Sequence, residues 1–220
     1  MSANKGFKLW DLPTRLFHWG LVVAIPLSWW TAEQGDLDLH QWLGYTLLVM
    51  VVGRIIWGFI GSRHSRFSDF LKGPRAILAY MRGDGAESPG HNPMGGWSVV
   101  VMLLLILAQA VSGLFNTDDI LFSGPLYSQV GVEFRDAMGV VHEVAFNVLL
   151  AMVALHICVV LYHQFKLKEK LIQAMIKGRA QGKEGRVATV SVWWAVVMVL
   201  MLAAGLWFGL SLIPKPVSIW

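Results

Sequence analysis

A chain of 220 residues that is 55% hydrophobic and only 15% charged, with a positive mean hydropathy, is built for lipid and not around a water-soluble core. Its net charge of +4 gathers on alternate loops, so the high isoelectric point is a topology signal and argues against a nucleic-acid-binding surface. The single cysteine, Cys158, excludes an intrachain disulfide, a cysteine-held metal cluster and Cys-x-x-Cys-His attachment, so any cofactor is held noncovalently.

Taken in chain order, apolar stretches near 12–30, 39–60, 96–115, 138–162 and 190–213 each approach or exceed the roughly 20 residues that cross a bilayer core. The first carries Pro13, Arg15, His18 and Pro26 with no small-x-small site after Trp29-Trp30, and is read as a retained helix, not a signal peptide. The 61–95 loop is basic, with breakers at Gly73-Pro74, Gly83 to Gly85 and Pro89-Gly90. Within it the apolar residues at 67, 70, 71, 77, 78 and 81 predict a short amphipathic segment on the membrane surface, interrupted at Gly73-Pro74. The 116–137 loop sets Asp118, Asp119, Glu133 and Asp136 against Arg135, a formal balance of −3, either because it docks a basic partner or simply because loops on that side lack basic residues. The 163–189 loop is again basic and broken at Gly178, Gly182 and Gly185. The expected fold is an all-α membrane protein: a four-helix transmembrane core over 1–165, a basic loop over 166–189, and an additional transmembrane helix in 190–220.

Sidedness follows from the Lys and Arg count. The N-terminus, the two basic loops and the adjoining span ends hold 16 of the 18, including Arg15, Arg54, Arg63, Arg66, Lys72, Arg75, Arg82, Lys166, Lys168, Lys170 and Arg186, while Arg135 and Lys215 fall opposite. Positive residues stay inside, which places the N-terminus in the cytoplasm and the C-terminus outside. Trp10, Trp29, Trp30, Trp57, Trp97, Trp193, Trp194 and Trp220 fall near predicted span ends, where indole favours the interface.

Four of the seven histidines, His18, His40, His142 and His156, fall within predicted spans or at their first turn. An ionisable ring in hydrocarbon needs a reason. One alone equally suits an interhelical hydrogen bond. The pair on the fourth span is more informative, because 14 residues at about 100° each fall about 40° short of four turns and rise about 21 Å. Both rings share a face, too far apart for one metal. The antiparallel course of the first two spans puts His18 level with His156 on the inner side and His40 level with His142 on the outer side. Two bis-histidine sites result, and an apolar surround without carboxylate or thiolate partners suits haem better than a bare metal ion. Glu143 neighbours His142 but is turned about 100° away. Gly44 and Gly139 lie about one turn from His40 and His142, where a missing side chain admits a flat ring or merely close helix packing. Arg15 and Arg54 suit propionate carboxylates, or snorkel to the surface. His163 shares the face of His156 and suits a quinone pocket or a surface role, whereas His64 and His91 are expected to be solvated loop residues. Cys158 is expected to be packed or lipid-facing.

Arg15-x-x-His18-Trp19, His40-Gln-Trp-Leu-Gly44 and His142-Glu143 with His156 resemble the bacterial cytochrome b561 family, together with the related b-type subunits of nickel–iron hydrogenases, over roughly residues 10–165. The resemblance implies two haem b groups, His18 with His156 and His40 with His142, and quinone chemistry in the bacterial inner membrane. It leads us to expect electron transfer between the quinone pool and a periplasmic redox protein such as a c-type cytochrome. The alternatives are a hydrogenase-type anchor subunit and a self-contained superoxide or quinone oxidoreductase, the latter disfavoured by acidic outer loops that repel an anion. A metal transporter without haem would need ligands converging at mid-membrane, which the paired depths oppose. The fifth helix departs from a four-helix core. Its Gly205-x-x-x-Gly209 offers a packing face to the core, to a partner subunit or to a second copy as a homo-oligomer.

Overall fold

The computed structural model describes residues 7–84, 90–120, 122–180 and 189–214. Arg186, Lys215 and Trp220, and the breakers Gly85, Pro89, Gly182 and Gly185, lie outside the described residues.

Five long helices carry the chain: α1 (Leu12–Glu33), α2 (Leu37–Ile60), α5 (Pro93–Gly113), α6 (Val132–Leu161) and α8 (Val192–Ser211). Between them lie the short helices α3 (Phe67–Phe70), α4 (Pro74–Met81) and α7 (Leu171–Lys177), and a two-residue strand pair, β1 (Phe7–Lys8) with β2 (Arg179–Ala180). The expected surface segment is present, and Leu71-Lys72-Gly73 divides it into α3 and α4. Each start is written locally. Asp11 accepts the Thr14 N–H at 3.0 Å to begin α1, Asp36 accepts Leu39 N–H at 3.1 Å to begin α2, and Asn92 accepts Gly95 N–H at 2.7 Å to begin α5. The α1–α2 link turns through Gly35 in the left-handed region at φ 73°, and α7 ends on Gly178, also at φ 73°. α6 continues through a π-helical turn over Tyr162–Lys166.

Helices α2, α5, α6 (with its π turn) and α8 are long and apolar enough to cross a membrane. Many of their large apolar side chains face outward, Leu104, Leu155, Leu200, Trp207 and Phe208 among them, as lipid-facing residues do. α1 has the length, at 22 residues, but carries Arg15 and Glu33. The chain is an all-α, multi-pass membrane protein.

Two compact units divide the chain, and each long helix contributes to both. The first comprises 1–19, 54–102 and 151–195. Its centre is a polar knot around Asp11. Trp57, 2% exposed, donates its indole N–H to Asp11 at 2.9 Å, and the Thr14 and Ser65 hydroxyls lie 2.8 Å apart beside it. Burial opposes ionisation of Asp11, but hydrogen bonds from Thr14, Ser62 and Trp57 outweigh it and hold the carboxyl below its usual range. Leu9, Trp10 and Ala174 form a buried cluster under the strand pair. Trp10 and Trp57, expected as interfacial anchors, are therefore core residues. Their N-terminal and loop partners lie far off in sequence, and a buried indole needs its N–H satisfied.

The second unit comprises 20–53, 103–150 and 196–220. Here α8 packs on α2: a Cβ on Gly53 would touch Met198 and Leu202 at 3.6 Å, and Trp42 stacks on Trp207 at 6.0 Å. The 114–131 connection is tied down by Leu126 N–H to Leu114 O at 2.9 Å and Gly124 N–H to Asn116 O at 2.8 Å. Arg135, expected in the 116–137 loop, stands in the first turn of α6 and lies 4.3 Å from the Tyr127 ring of this connection.

Candidate functional site

The sequence pairs the histidines by depth, and each pair meets within one unit. In the second, α2 supplies His40 and α6 supplies His142, with ring centroids 6.3 Å apart. The backbone fixes both rings. His40 Nδ1 lies 2.8 Å from the Ser28 carbonyl, and His142 Nδ1 lies 3.0 Å from the Gln109 carbonyl, with the Ser112 hydroxyl at 3.1 Å. A ring that donates its Nδ1–H to a carbonyl keeps Nε2 as the basic nitrogen. On His142 that Nε2 receives the Gln109 amide at 2.9 Å, and the Gln109 Oε1 is buried without a partner.

A cavity of 330 Å³ opens beside this pair, lined by both histidines, Gly44, Tyr45, Phe146 and Leu149 among others. A Cβ built on Gly44 meets nothing within 4 Å, so the glycine leaves usable space. Gly113 is tighter, its Cβ position 3.1 Å from His142 Cε1, and Gly139 looks instead toward Asn116, at 3.6 Å. Glu143, expected to point away, also lines the cavity with Glu33 and Asp118, because an open pocket spans more than one helix face.

In the first unit, α1 supplies His18 and α6 supplies His156, ring centroids 6.4 Å apart. His18 Nδ1 is buried with no hydrogen-bond partner. Arg54, 5% exposed, stands in the same unit with Nη1 unpartnered and its guanidinium 5.7 Å from the Phe67 ring. Arg15 finds other acceptors: it donates Nε to the Met175 carbonyl at 3.1 Å and a guanidinium N–H to the Ile176 carbonyl, closing the end of α7.

Two loop histidines expected in solvent are not there. His64 is 6% exposed and pairs with Asp69 at 2.8 Å. His91 packs edge-on to Trp10 and tilted on Phe70, each at 4.8 Å, with Nδ1 buried and unpartnered. Burial, then the charges of Arg54, His156 and His18, push the His91 ring down to about 3. Sequence spacing could not reveal this, because the aromatic walls come from an N-terminal segment and a loop helix. His163 pairs with Glu169 at 3.0 Å, and Cys158 is exposed.

The geometry suits a metal between two rings. Two imidazoles bound to opposite faces of one iron, at roughly 2 Å from nitrogen to metal and about 1 Å from nitrogen to ring centre, place their centroids about 6 Å apart. Both pairs have that spacing. The orphaned polar atom at Arg54 Nη1 and the open space at Gly44 fit a large anionic planar group better than a small ion. Among the described residues there is no cluster of three or more His, Cys, Asp or Glu able to hold a metal ion.

No curated protein and no solved structure is matched by this chain. A family model described as prokaryotic cytochrome b561 matches residues 9–178, which take in all four paired histidines and leave α8 outside. With that match covering most of the chain, the protein belongs to the prokaryotic cytochrome b561 family, b-type cytochromes of membrane electron transfer.

Proposed function

We propose that this chain is a di-haem conduit of the bacterial inner membrane, carrying electrons between the quinone pool and a periplasmic redox protein such as a c-type cytochrome. The carrying observation is the pair of histidine couples with centroids 6.3 and 6.4 Å apart, each joining helices distant in sequence. Bound haem would supply one-electron redox chemistry at each pair. The chain's residues do the rest. His40 and His142 offer Nε2 because Ser28 and Gln109 carbonyls hold their Nδ1 protons. Gln109, whose amide now bonds His142 Nε2, would release that nitrogen for it to serve as a ligand. Arg54 would offer its unpartnered Nη1 to an anionic group of the cofactor held by His18 and His156, while Arg15 steadies α7. Gly44 leaves room around the group at His40 and His142, whereas Gly139 faces Asn116 and does not line that cavity.

The basic loops support a cytoplasmic N-terminus and a periplasmic C-terminus, with five spans counting α1. The 116–137 loop then faces the periplasm and docks the partner. The acidic residues there favour a basic protein over an anion such as superoxide.

A reduced-minus-oxidised visible spectrum of the purified chain, with haem counted per chain by pyridine haemochrome, tests the reading. Two b-type haems are expected. Substituting His18 or His156 removes one, and substituting His40 or His142 removes the other. A chain expressed with ample haem that binds none refutes the proposal.

A further inference from the structure

The two histidine pairs differ in what surrounds them, and the differences act in one direction. Both rings of the His40/His142 pair have Nδ1 at a backbone carbonyl, 2.8 Å from Ser28 O and 3.0 Å from Gln109 O. Such bonds push electron density toward the ligating nitrogen and make the ring a stronger donor. A stronger donor stabilises the ferric ion over the ferrous one. In the other pair, His18 Nδ1 is buried with no acceptor, so a ring ligating through Nε2 stays the weaker donor.

The fixed charges add to this. The cavity at His40 and His142 is lined by Glu33, Asp118 and Glu143 and, among the described residues, by no Lys or Arg. Carboxylates favour the more positive ferric state, although their exposure to water weakens the effect. The unit that holds His18 and His156 instead buries the Arg54 guanidinium, one of its nitrogens unpartnered, together with the Asp11 carboxylate, which is bonded to Thr14 and Trp57. A buried cation favours the less positive ferrous state; Asp11 offsets part of that charge, and the unpartnered nitrogen is the part of it left open toward the site.

We infer that the His40/His142 site holds its iron at a lower reduction potential than the His18/His156 site. The inference rests on the two-haem reading and adds a direction to it. With haem bound at both pairs, an electron delivered at His40/His142 would pass downhill, one ferrous ion there being oxidised as one ferric ion at His18/His156 is reduced, with no bond or proton exchanged. With the sidedness read from the basic loops, the intrinsic gradient runs from the periplasmic side inward. Ser28 and Gln109, through their carbonyls, and Arg54, through its charge, set that gradient as positioning and tuning groups.

The test is a redox titration of the purified full chain, followed through its visible spectrum, beside the variants His156→Ala and His40→Ala. His156→Ala keeps the His40/His142 site and is expected to titrate near the lower of the two wild-type midpoints. His40→Ala is expected near the upper. The opposite assignment, or two coincident midpoints, overturns the inference. Should a single-site variant lose both haems, Arg54→Gln in the two-site chain makes the assignment. It is expected to lower the upper midpoint and leave the lower one in place, and Arg54→Lys is expected to restore it. Movement of the lower midpoint, or of neither, overturns the inference. Two haems in the reverse order defeat this inference alone, whereas a chain that binds no haem defeats the reading beneath it.

Discussion

Gly44 separates a functional pocket from an accident of packing. The residue sits within α2, and its missing side chain faces open space beside His40 and His142. Glycine in a helix interior is worse than a good helix former by about 1 kcal/mol. A Cβ at this position meets no atom within 4 Å and the residue lines the cavity, so a leucine side chain starts in open space, recovers that amount, and adds about 0.8 kcal/mol for each methylene it buries. On stability alone, Gly44→Leu is favourable by about 1 kcal/mol or more. If the space belongs to a haem, the same four carbon atoms evict it. The expected result is one haem per chain instead of two, in a protein that resists thermal unfolding at least as well as the wild type when both are haem-free. Gly205→Leu is the control, since Gly205 also has nothing within 4 Å of its Cβ but lies on α8, outside the cavity lining. It is expected to keep two haems. Retention of both haems by Gly44→Leu would refute the assignment of that space.

Gly113→Ala presses a methyl to 3.1 Å from His142 Cε1, so the ring must give by a few tenths of an ångström; the low-spin EPR signal of the outer haem should shift while the inner signal holds. Trp57→Phe removes a buried hydrogen bond to a carboxylate and is expected to cost about 1.5–3 kcal/mol, read as a lowered unfolding midpoint in mixed detergent. The Asp11 carboxyl is held below its ordinary 3.8, so its contribution to stability is complete above that pH and disappears as the pH falls through the lower folded value. Asp11→Asn should therefore be less stable at neutral pH, and the gap to wild type should narrow below about pH 3.8. Reversing charge at Asp119 and Glu133 should slow electron exchange with a basic periplasmic partner and flatten its dependence on salt, with haem content unchanged.

The histidine couples were legible because two simple regularities define them: the helical repeat puts His142 and His156 on one face, and the alternation of basic loops sets the depth of their partners. The glycine beside His40 was legible for the same reason. What escaped is held by contacts that no spacing encodes. The carbonyls of Ser28 and Gln109 that fix the His40 and His142 rings are backbone atoms, and any residue there offers one. Trp10 and Trp57 resemble interfacial anchors until Asp11 and Ala174 are placed beside them. His91 lies in a polar loop and is buried only because Trp10 and Phe70 close on it. Arg15 has the position of a carboxylate clamp, but the end of a helix more than 150 residues later supplies its acceptors.

The strand pair joining Phe7–Lys8 to Arg179–Ala180 sets an order of events during synthesis. A segment before α1 is paired with one after α7, so the tie cannot close until the ribosome has passed residue 180. By then α1, α2, α5 and α6 have all been made, and closing so long a loop costs only slightly more than closing one half its length. Leu9 and Trp10, which pack with Ala174, lie directly after the first of these strands, and Trp10 walls His91. The helices that carry the paired histidines, α1, α2 and α6, are thus made before the strand pair can form.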